Sequence, residues 1–259
     1  MQLVAGLKLE NDPYSGLTPM PSVWLSWKPD SDNLIWGAVS QVIRSPTPFD
    51  ADVQEKLGAA VFLTGNPSFL PEQLTAYELG YRAQLAPDLS VSVSSYLDVY
   101  ENLKSIEKGI YPGVPLAWGN GIQGSIHGVE IWGDFRATDW WRLTASVVVQ
   151  HDDLKFSPLS SGLLGLMQEG DDPHHQASLR STINILPDLT WEADFRDVGK
   201  LPNPVVPEYV ELNSRLAWHA TEQLEFALSG FNLLHGKHME YAPGDAIPRS
   251  VYIETRFRF

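Results

Sequence analysis

The sequence contains no cysteine. That excludes a disulfide framework, thiolate metal centres and cysteine nucleophiles. Nowhere does it hold about 18 consecutive apolar residues, so no transmembrane helix is encoded. Cations are scarce: 18 Lys and Arg stand against 32 Asp and Glu, a formal charge of −14. Neutralising phosphates needs clustered Lys and Arg, so a nucleic-acid partner is disfavoured. The segment Met1 to Glu10 has no basic stretch leading into an apolar one, and no secretory signal is expected in it. Also missing are G-x-G-x-x-G, the P-loop, G-x-S-x-G and H-E-x-x-H. Ser125 to Gly128 (SIHG) sets a Ser near a His, but within a strand pattern and without a nucleophile elbow. No catalytic residue, no cofactor-binding residue and no enzymatic activity are expected.

What the chain does have is length, aromatics and turn formers. Its 259 residues suffice for one large all-β domain or two ordinary domains. A hydrophobic content of 43 % is too high for a disordered acidic tail. Aromatics at 11 %, with 20 Gly and 19 Pro, lean towards β-structure with many turns.

The dominant pattern is alternation with period two. In Leu89 to Tyr100, Val91, Val93, Leu97 and Val99 fall on one face, and Ser90, Ser92, Ser94, Tyr96 and Asp98 on the other. A helical period would mix these sets, whereas a strand separates them. The split recurs in Gly128 to Ala137, in Glu208 to Trp218, and at the C-terminus. There Val251, Ile253, Phe257 and Phe259 oppose Tyr252, Glu254, Arg256 and Arg258. The pattern predicts about twelve strands, near 2–12, 21–28, 33–44, 74–86, 88–101, 121–137, 140–153, 174–186, 189–198, 207–219, 222–234 and 249–259. Strands of about ten residues and more exceed the ~5–6 of ordinary soluble strands and suit a tilted membrane-spanning strand.

Connections alternate in length. Lys28–Asn33, Ala86–Asp88, Thr138–Trp140, Pro187–Asp188 and Ala220–Glu222 are short. Ser45–Gln73, Asn102–Asn120, Asp152–Pro173, Gly199–Pro207 and His235–Arg249 are long. In an antiparallel meander this puts short turns at one end and long loops at the other, as in an outer-membrane barrel. None of the long loops resembles a linker, so one domain is expected. Trp27, Tyr77, Trp140, Trp141, Trp218 and Phe259 fall near strand ends, where aromatic girdles meet a bilayer interface. Alternation alone also fits a soluble sandwich, whose apolar face is buried rather than turned to lipid.

Several side chains are candidates for chemistry. His235, His238 and Glu240 form an H-x-x-H-x-E cluster with metal-ligand character, against the plainer reading of a polar loop. His174 and His175 follow the acidic Gly170-Asp171-Asp172 and read as a solvated loop end. No metal site is assigned. Glu78, Glu130, Asp134, Glu192, Asp194 and Glu254 share a face with Arg82, Arg136, Arg180, Arg196, Arg215, Arg256 and Arg258. Paired carboxylates could serve glycoside hydrolysis, but ion pairing across a wet lumen explains both sets without catalysis.

Four segments resemble a known family. They are Leu34 to Phe49 (LIWGAVSQVIRSPTPF), Leu70 to Arg82 (LPEQLTAYELGYR), Val206 to Trp218 (VPEYVELNSRLAW) and Leu224 to Leu234 (LEFALSGFNLL). With the terminal YIETRFRF, their order is similar to that of the C-terminal part of TonB-dependent outer-membrane receptors. The resemblance implies an all-β antiparallel transmembrane β-barrel in the bacterial outer membrane. About 12 strands here would form part of a 22-stranded barrel. Residues 1–259 would be a partial barrel domain, with the family's plug domain and signal peptide absent from it. It implies uptake of a metal chelate such as a siderophore, ligand capture by the long loops, and contact with outer-membrane lipid. TonB would be a partner only where the missing N-terminal plug is supplied. The terminal Phe257 and Phe259 match the family's barrel-insertion signal. The rival readings are a soluble all-β carbohydrate-binding module and a small passive outer-membrane pore.

Overall fold

Residues that alternate in polarity along the chain become long antiparallel strands, because only the extended backbone turns successive side chains to opposite faces. The computed structural model describes residues 1–241, 244 and 246–259, with the side chains of these apart from 168 and 169. Twelve long strands run in chain order through one curved sheet: β1 (Gln2–Asp12), β2 (Gly16–Trp27), β3 (Asn33–Arg44), β6 (Glu72–Ala86), β7 (Leu89–Lys108), β8 (Leu116–Thr138), β9 (Trp141–Phe156), β10 (His175–Leu186), β11 (Leu189–Val198), β12 (Tyr209–His219), β13 (Leu224–Phe231) and β16 (Ser250–Phe257). Four short strands sit in loops. β4 (Gln54–Leu57) and β5 (Ala60–Thr64) follow the helix α1 (Pro48–Asp52), and β14 (Lys237–Met239) pairs with β15 (Ala246–Pro248) in a separate ribbon.

Register holds each face together across the sheet. Leu79 lies opposite Ser95, Ser95 opposite Val129, and Val129 opposite Val149. Further round, Leu179 opposes Phe195, Phe195 opposes Leu212, and Leu216 opposes Leu228, which opposes Ile253. This apolar face is the exposed one: Leu79 is 60 % exposed and Ile253 81 %. A water-soluble protein rarely shows an apolar patch beyond a few hundred Å², and a sandwich would bury this face against a second sheet. The surface totals 16000 Å², against roughly 11,300 Å² for a compact globule of this mass. The sheet is therefore a lipid-facing wall, and the soluble-module reading fails on the burial of its apolar face. Trp27, Trp140 and Trp218 stand exposed beside the short turns, as an interfacial girdle requires. The Trp218 indole N–H donates to Asp188 in the neighbouring turn at 3.1 Å.

Two connections differ from the sequence expectation. Asn102–Asn120 is mostly strand: β7 and β8 continue past bulges, with Ser105 opposite Gly119 and Lys108 opposite Leu116, leaving only residues 109–115 as the turn. Asn102 absorbs the irregularity in the left-handed region at φ 59. At the same end, β1 and β2 are joined by Pro13, Tyr14 and Ser15 alone. Asp12 Oδ1 accepts both the Tyr14 and Ser15 N–H groups, and Gly16 at φ +66 completes the turn without a Cβ penalty. A self-capping Asx turn lets a tight connection stand among long loops.

Among the described residues no ladder joins β1 to β16, so the sheet has two edges. Leu228, on the exposed face about midway along β13, tests the membrane assignment. Leu228→Arg should lower the folding free energy in lipid vesicles by ~2–4 kcal/mol, measured by denaturant titration. Leu159→Arg, in an exposed loop, should change it by less than about 0.5 kcal/mol.

Candidate functional site: the polar wall and the loops pinned above it

The face opposite the lipid carries the charges, and several form ion pairs between neighbouring strands. Arg142 on β9 meets Asp134 on β8 at 2.7 Å, and Arg180 on β10 pairs with Asp194 on β11. Arg215 on β12 binds Glu225 on β13, which also faces Arg256 on β16 at 3.8 Å. The sequence placed these acids and arginines on one face, and the sheet joins Asp194 to Arg180 as that reading requires. Asp134 takes Arg142 rather than Arg136, because directly paired strands bring β9 within reach. Glu78, Glu130, Glu192 and Glu254 make no ion pair among the described residues. Arg82 instead donates to the Ser92 hydroxyl at 3.0 Å. The engaged carboxylates are neutralised by arginines, which suits a wet, structured lumen rather than acid–base chemistry.

At the long-loop end, single carboxylates pin loops to strand ends. Asp50 does this for residues 45–71. Thr47 caps α1, its hydroxyl and N–H both donating to Asp50 in a reciprocal capping box, and Pro48 starts the helix where no N–H is needed. Asp50 is 1 % exposed. It accepts from Lys104 at 2.6 Å and Arg44 at 3.1 Å. The Lys104 ammonium lies 3.8 Å from the centre of the Trp118 ring and 4.9 Å from that of Phe49. Burial alone would push the Asp50 carboxyl up. Hydrogen bonds from Lys104, Thr47 and Arg44 outweigh it and hold the group well below the usual carboxylate range.

Glu107 near the tip of β7 pins the next loop. It accepts from Ser105 and from Ser160, each at 2.6 Å, and from the Ser161 backbone. Leu164 and Ile106 exchange backbone hydrogen bonds, laying the loop along β7. Between these loops lies a cleft of about 380 Å³ lined by Asn66, Glu107, Trp118, Asn120 and Ser160.

The third anchor is Glu211 on β12. Arg196 on β11 donates to Glu211 and, at 2.6 Å, to Glu240. His238 Nε2 lies 2.8 Å from Glu240, and its ring stacks on Tyr209 at 4.4 Å. The ligand atoms of Glu211, His238 and Glu240 fall within 4.8 Å of one another. The sequence cluster named His235 beside His238 and Glu240. His235 is outside that group of ligand atoms, but it lines the adjoining cleft of about 510 Å³ together with His238, Tyr209, Lys237 and Met239. Glu211, some 25 residues earlier, was not visible as a partner, since only the ribbon β14–β15 folding onto β12 brings it there. Arg196 already supplies the positive charge that a metal would bring. His174 and His175 are also separated: His175 pairs with Asp197 at 3.4 Å, whereas His174 stacks on His151.

The four sequence segments find their physical reason in contacts with one another. Arg44 of the first reaches Glu72 of the second at 2.6 Å. Trp36 lies over its register partner Gly80, where a Cβ would come within 2.2 Å of the indole. Asn213 of the third segment accepts from the Asn232 N–H of the fourth at 2.8 Å, and Asn232, fully buried, donates to Ile247 of the ribbon at 3.0 Å.

A lipid-facing apolar wall, a polar wall with ion pairs and long loops pinned at one end define part of an outer-membrane-type β-barrel. A family model described as "TonB dependent receptor-like, beta-barrel" matches residues 2–233, and the chain belongs to that family of transporters, which are not enzymes and which reside in the bacterial outer membrane. No curated protein matches in sequence. Solved structures share the fold at low identity. The siderophore receptor PirA from Acinetobacter baumannii is 16 % identical with a TM-score of 0.75, over 99 % of this chain and 43 % of its own. A mutant of the ferric enterobactin receptor PfeA from Pseudomonas aeruginosa, in complex with enterobactin, is 14 % identical with a TM-score of 0.76, over 98 % and 43 %. The siderophore receptor PiuA from Acinetobacter baumannii is 19 % identical with a TM-score of 0.72, over 93 % and 36 %. The chain thus spans less than half the length of each of these receptors.

Asp50→Ala strands Lys104 and Arg44 beside a buried void and should cost ~3–5 kcal/mol, read as faster hydrogen exchange and protease cleavage across residues 45–71. Because the folded carboxyl is depressed, its contribution is complete above the unfolded pKa of ~3.9 and lost as pH falls through the folded value. Loop protection should therefore stay constant from about pH 7 to about pH 5 and fail only in strong acid. Failure near neutral pH would mean that Asp50 is not the anchor.

Proposed function

We propose that this chain is the C-terminal barrel wall of a receptor that imports a ferric siderophore or similar metal chelate. The observation that carries the reading is the joint one of membership and match. The family model spans nearly the whole described wall, and the solved relatives that overlay it are siderophore receptors. The pinned loops support it, since loops held on a rigid wall carry recognition. Their clefts combine aromatic and polar side chains, Trp118 with Asn120 in one and Tyr209 with His238 in the other, which suits a polar chelate with aromatic groups.

The twelve wall strands complete a barrel with strands supplied from outside residues 1–259, as in 22-stranded transporters whose lumen holds a plug. TonB acts on that plug, so energised uptake belongs to the assembled receptor. Phe257 and Phe259 serve as the insertion signal. Both rings are exposed, 6.4 Å apart, at the end of the strand that forms one sheet edge.

The test is uptake of ⁵⁵Fe-loaded siderophores by iron-starved cells with and without the receptor that carries this chain. Uptake should need both the receptor and TonB. Receptor-dependent leakage of small solutes that ignores TonB would identify a passive pore instead. Deleting Phe259 should reduce the heat-modifiable, membrane-inserted form several-fold, and wild-type insertion would remove that residue's assigned role.

A further inference from the structure

Three imidazoles come together on the lipid-facing side of the wall, away from the lumen and its ion pairs. His127 on β8 and His151 on β9 are direct register partners, with ring centres 5.4 Å apart. His174, the residue before β10, stacks on His151 with ring centres 6.1 Å apart. Its position is set by its carbonyl, which accepts the Gln150 N–H of β9 at 2.9 Å. All three residues are exposed. His127 and His151 share the face of Val129 and Val149, which lie two residues nearer the membrane midplane, and His174 joins them from the loop by stacking on His151. A tilted strand climbs about 2.5 Å per residue across a band about 25 Å tall. Ten residues separate His151 from Trp141 at the short-turn girdle, so the cluster sits at the extracellular edge of that band.

Two of the three separations, His127 to His151 and His151 to His174, lie near that of ligands to one ion. With metal–nitrogen bonds of about 2.0–2.1 Å, two imidazoles bound tetrahedrally hold their ring centres about 5.2 Å apart. Reaching it means drawing the ring centres together by about 0.2 and 0.9 Å, which turning at χ1 of these exposed side chains supplies, while χ2, soft for His, aims the nitrogens. Charge favours a cation over an anion. Asp152, behind His151 on the opposite face, lies within electrostatic reach of all three imidazoles and of Asp172. Its Oδ1 is buried without a hydrogen-bond partner. A phosphate would be repelled by these carboxylates. Imidazole nitrogen selects Zn²⁺, Cu²⁺ or Ni²⁺ over Mg²⁺ and Ca²⁺.

We propose that His127, His151 and His174 form a transition-metal site on the outer wall, with Zn²⁺ or a chemically similar ion held by three nitrogens and a fourth position open to solvent. The ion joins β8, β9 and the point where the loop of residues 157–174 returns to the sheet. It is separate from the transported cargo, and its occupancy holds whichever cargo the lumen passes.

The experiment uses the untagged full-length receptor in detergent, stripped with a chelator and titrated with Zn²⁺ alone against a chromophoric competitor. The wild type should bind one equivalent that His151→Ala removes. His127→Ala and His174→Ala should each weaken it by at least about tenfold, since even the loss of an outer-shell partner costs 10–100-fold. His238→Ala, on the lumen side, should leave it unchanged. Co²⁺ substitution should give the intense visible bands of a tetrahedral site in the wild type and lose them in His151→Ala. Heat-modifiable mobility confirms that each variant is folded. Equal zinc affinity and stoichiometry in wild type and His151→Ala would overturn the proposal, as would loss in His238→Ala with retention in His151→Ala.

Discussion

A strand that faces hydrocarbon has no water to satisfy its backbone, so each N–H and C=O must meet a neighbouring strand. The architecture follows from this one requirement. It demands strands long enough to cross the apolar band, paired without gaps, and joined at one end by turns too short to interrupt the ladder. β1 and β16 show its force most plainly. Together they present roughly 20 unpaired backbone groups, at several kcal/mol each in lipid. A wall of this kind is stable only within a closed ring, which is why the fold argues for a larger barrel.

Side chains do not build a packed core here. Nearly half of the buried hydrophobic positions are alanines, such as Ala38, Ala83, Ala117, Ala217 and Ala227. The polar face is tied by arginine–carboxylate pairs between adjacent strands, each of them individually modest when solvated. The loop anchor Asp50 is the most deeply buried of the described carboxylates. Asp50 and Glu211 are each less than a tenth exposed; Asp50 gathers cations from two strands, and Glu211 takes Arg196, which also holds Glu240. Loops that must offer a constant surface to a ligand are thereby held to a rigid wall. The family's sequence segments mark these junctions: Arg44 with Glu72, Trp36 over Gly80, Asn213 with Asn232.

Much of the wall was readable from alternation. Val91, Val93, Leu97 and Val99 had to share a face because the strand period is two, and burial shows that face turned outward. The twelve expected strands correspond one to one with the twelve of the sheet. Their ends were less readable. β7 and β8 outrun the alternating pattern, because above the membrane their faces no longer separate lipid from water. Ser105 and Glu107 there are chosen for hydrogen bonding to a loop, a role with no sequence period.

The sequence by itself determined the fold class, the division of side chains between two faces and the family resemblance, while the outward turn of the apolar face, and with it the membrane, came from the structure. Those three readings depend on local repetition or on short segments, which a linear chain displays directly. Only the tertiary structure decided which charges meet and which histidines converge. His238 finds Glu211 rather than His235, and His127 finds His151 and His174, through strand register and loop return. Those relations join residues far apart in the chain, and hydrogen-bonded pairing across the sheet brings them within a few ångströms.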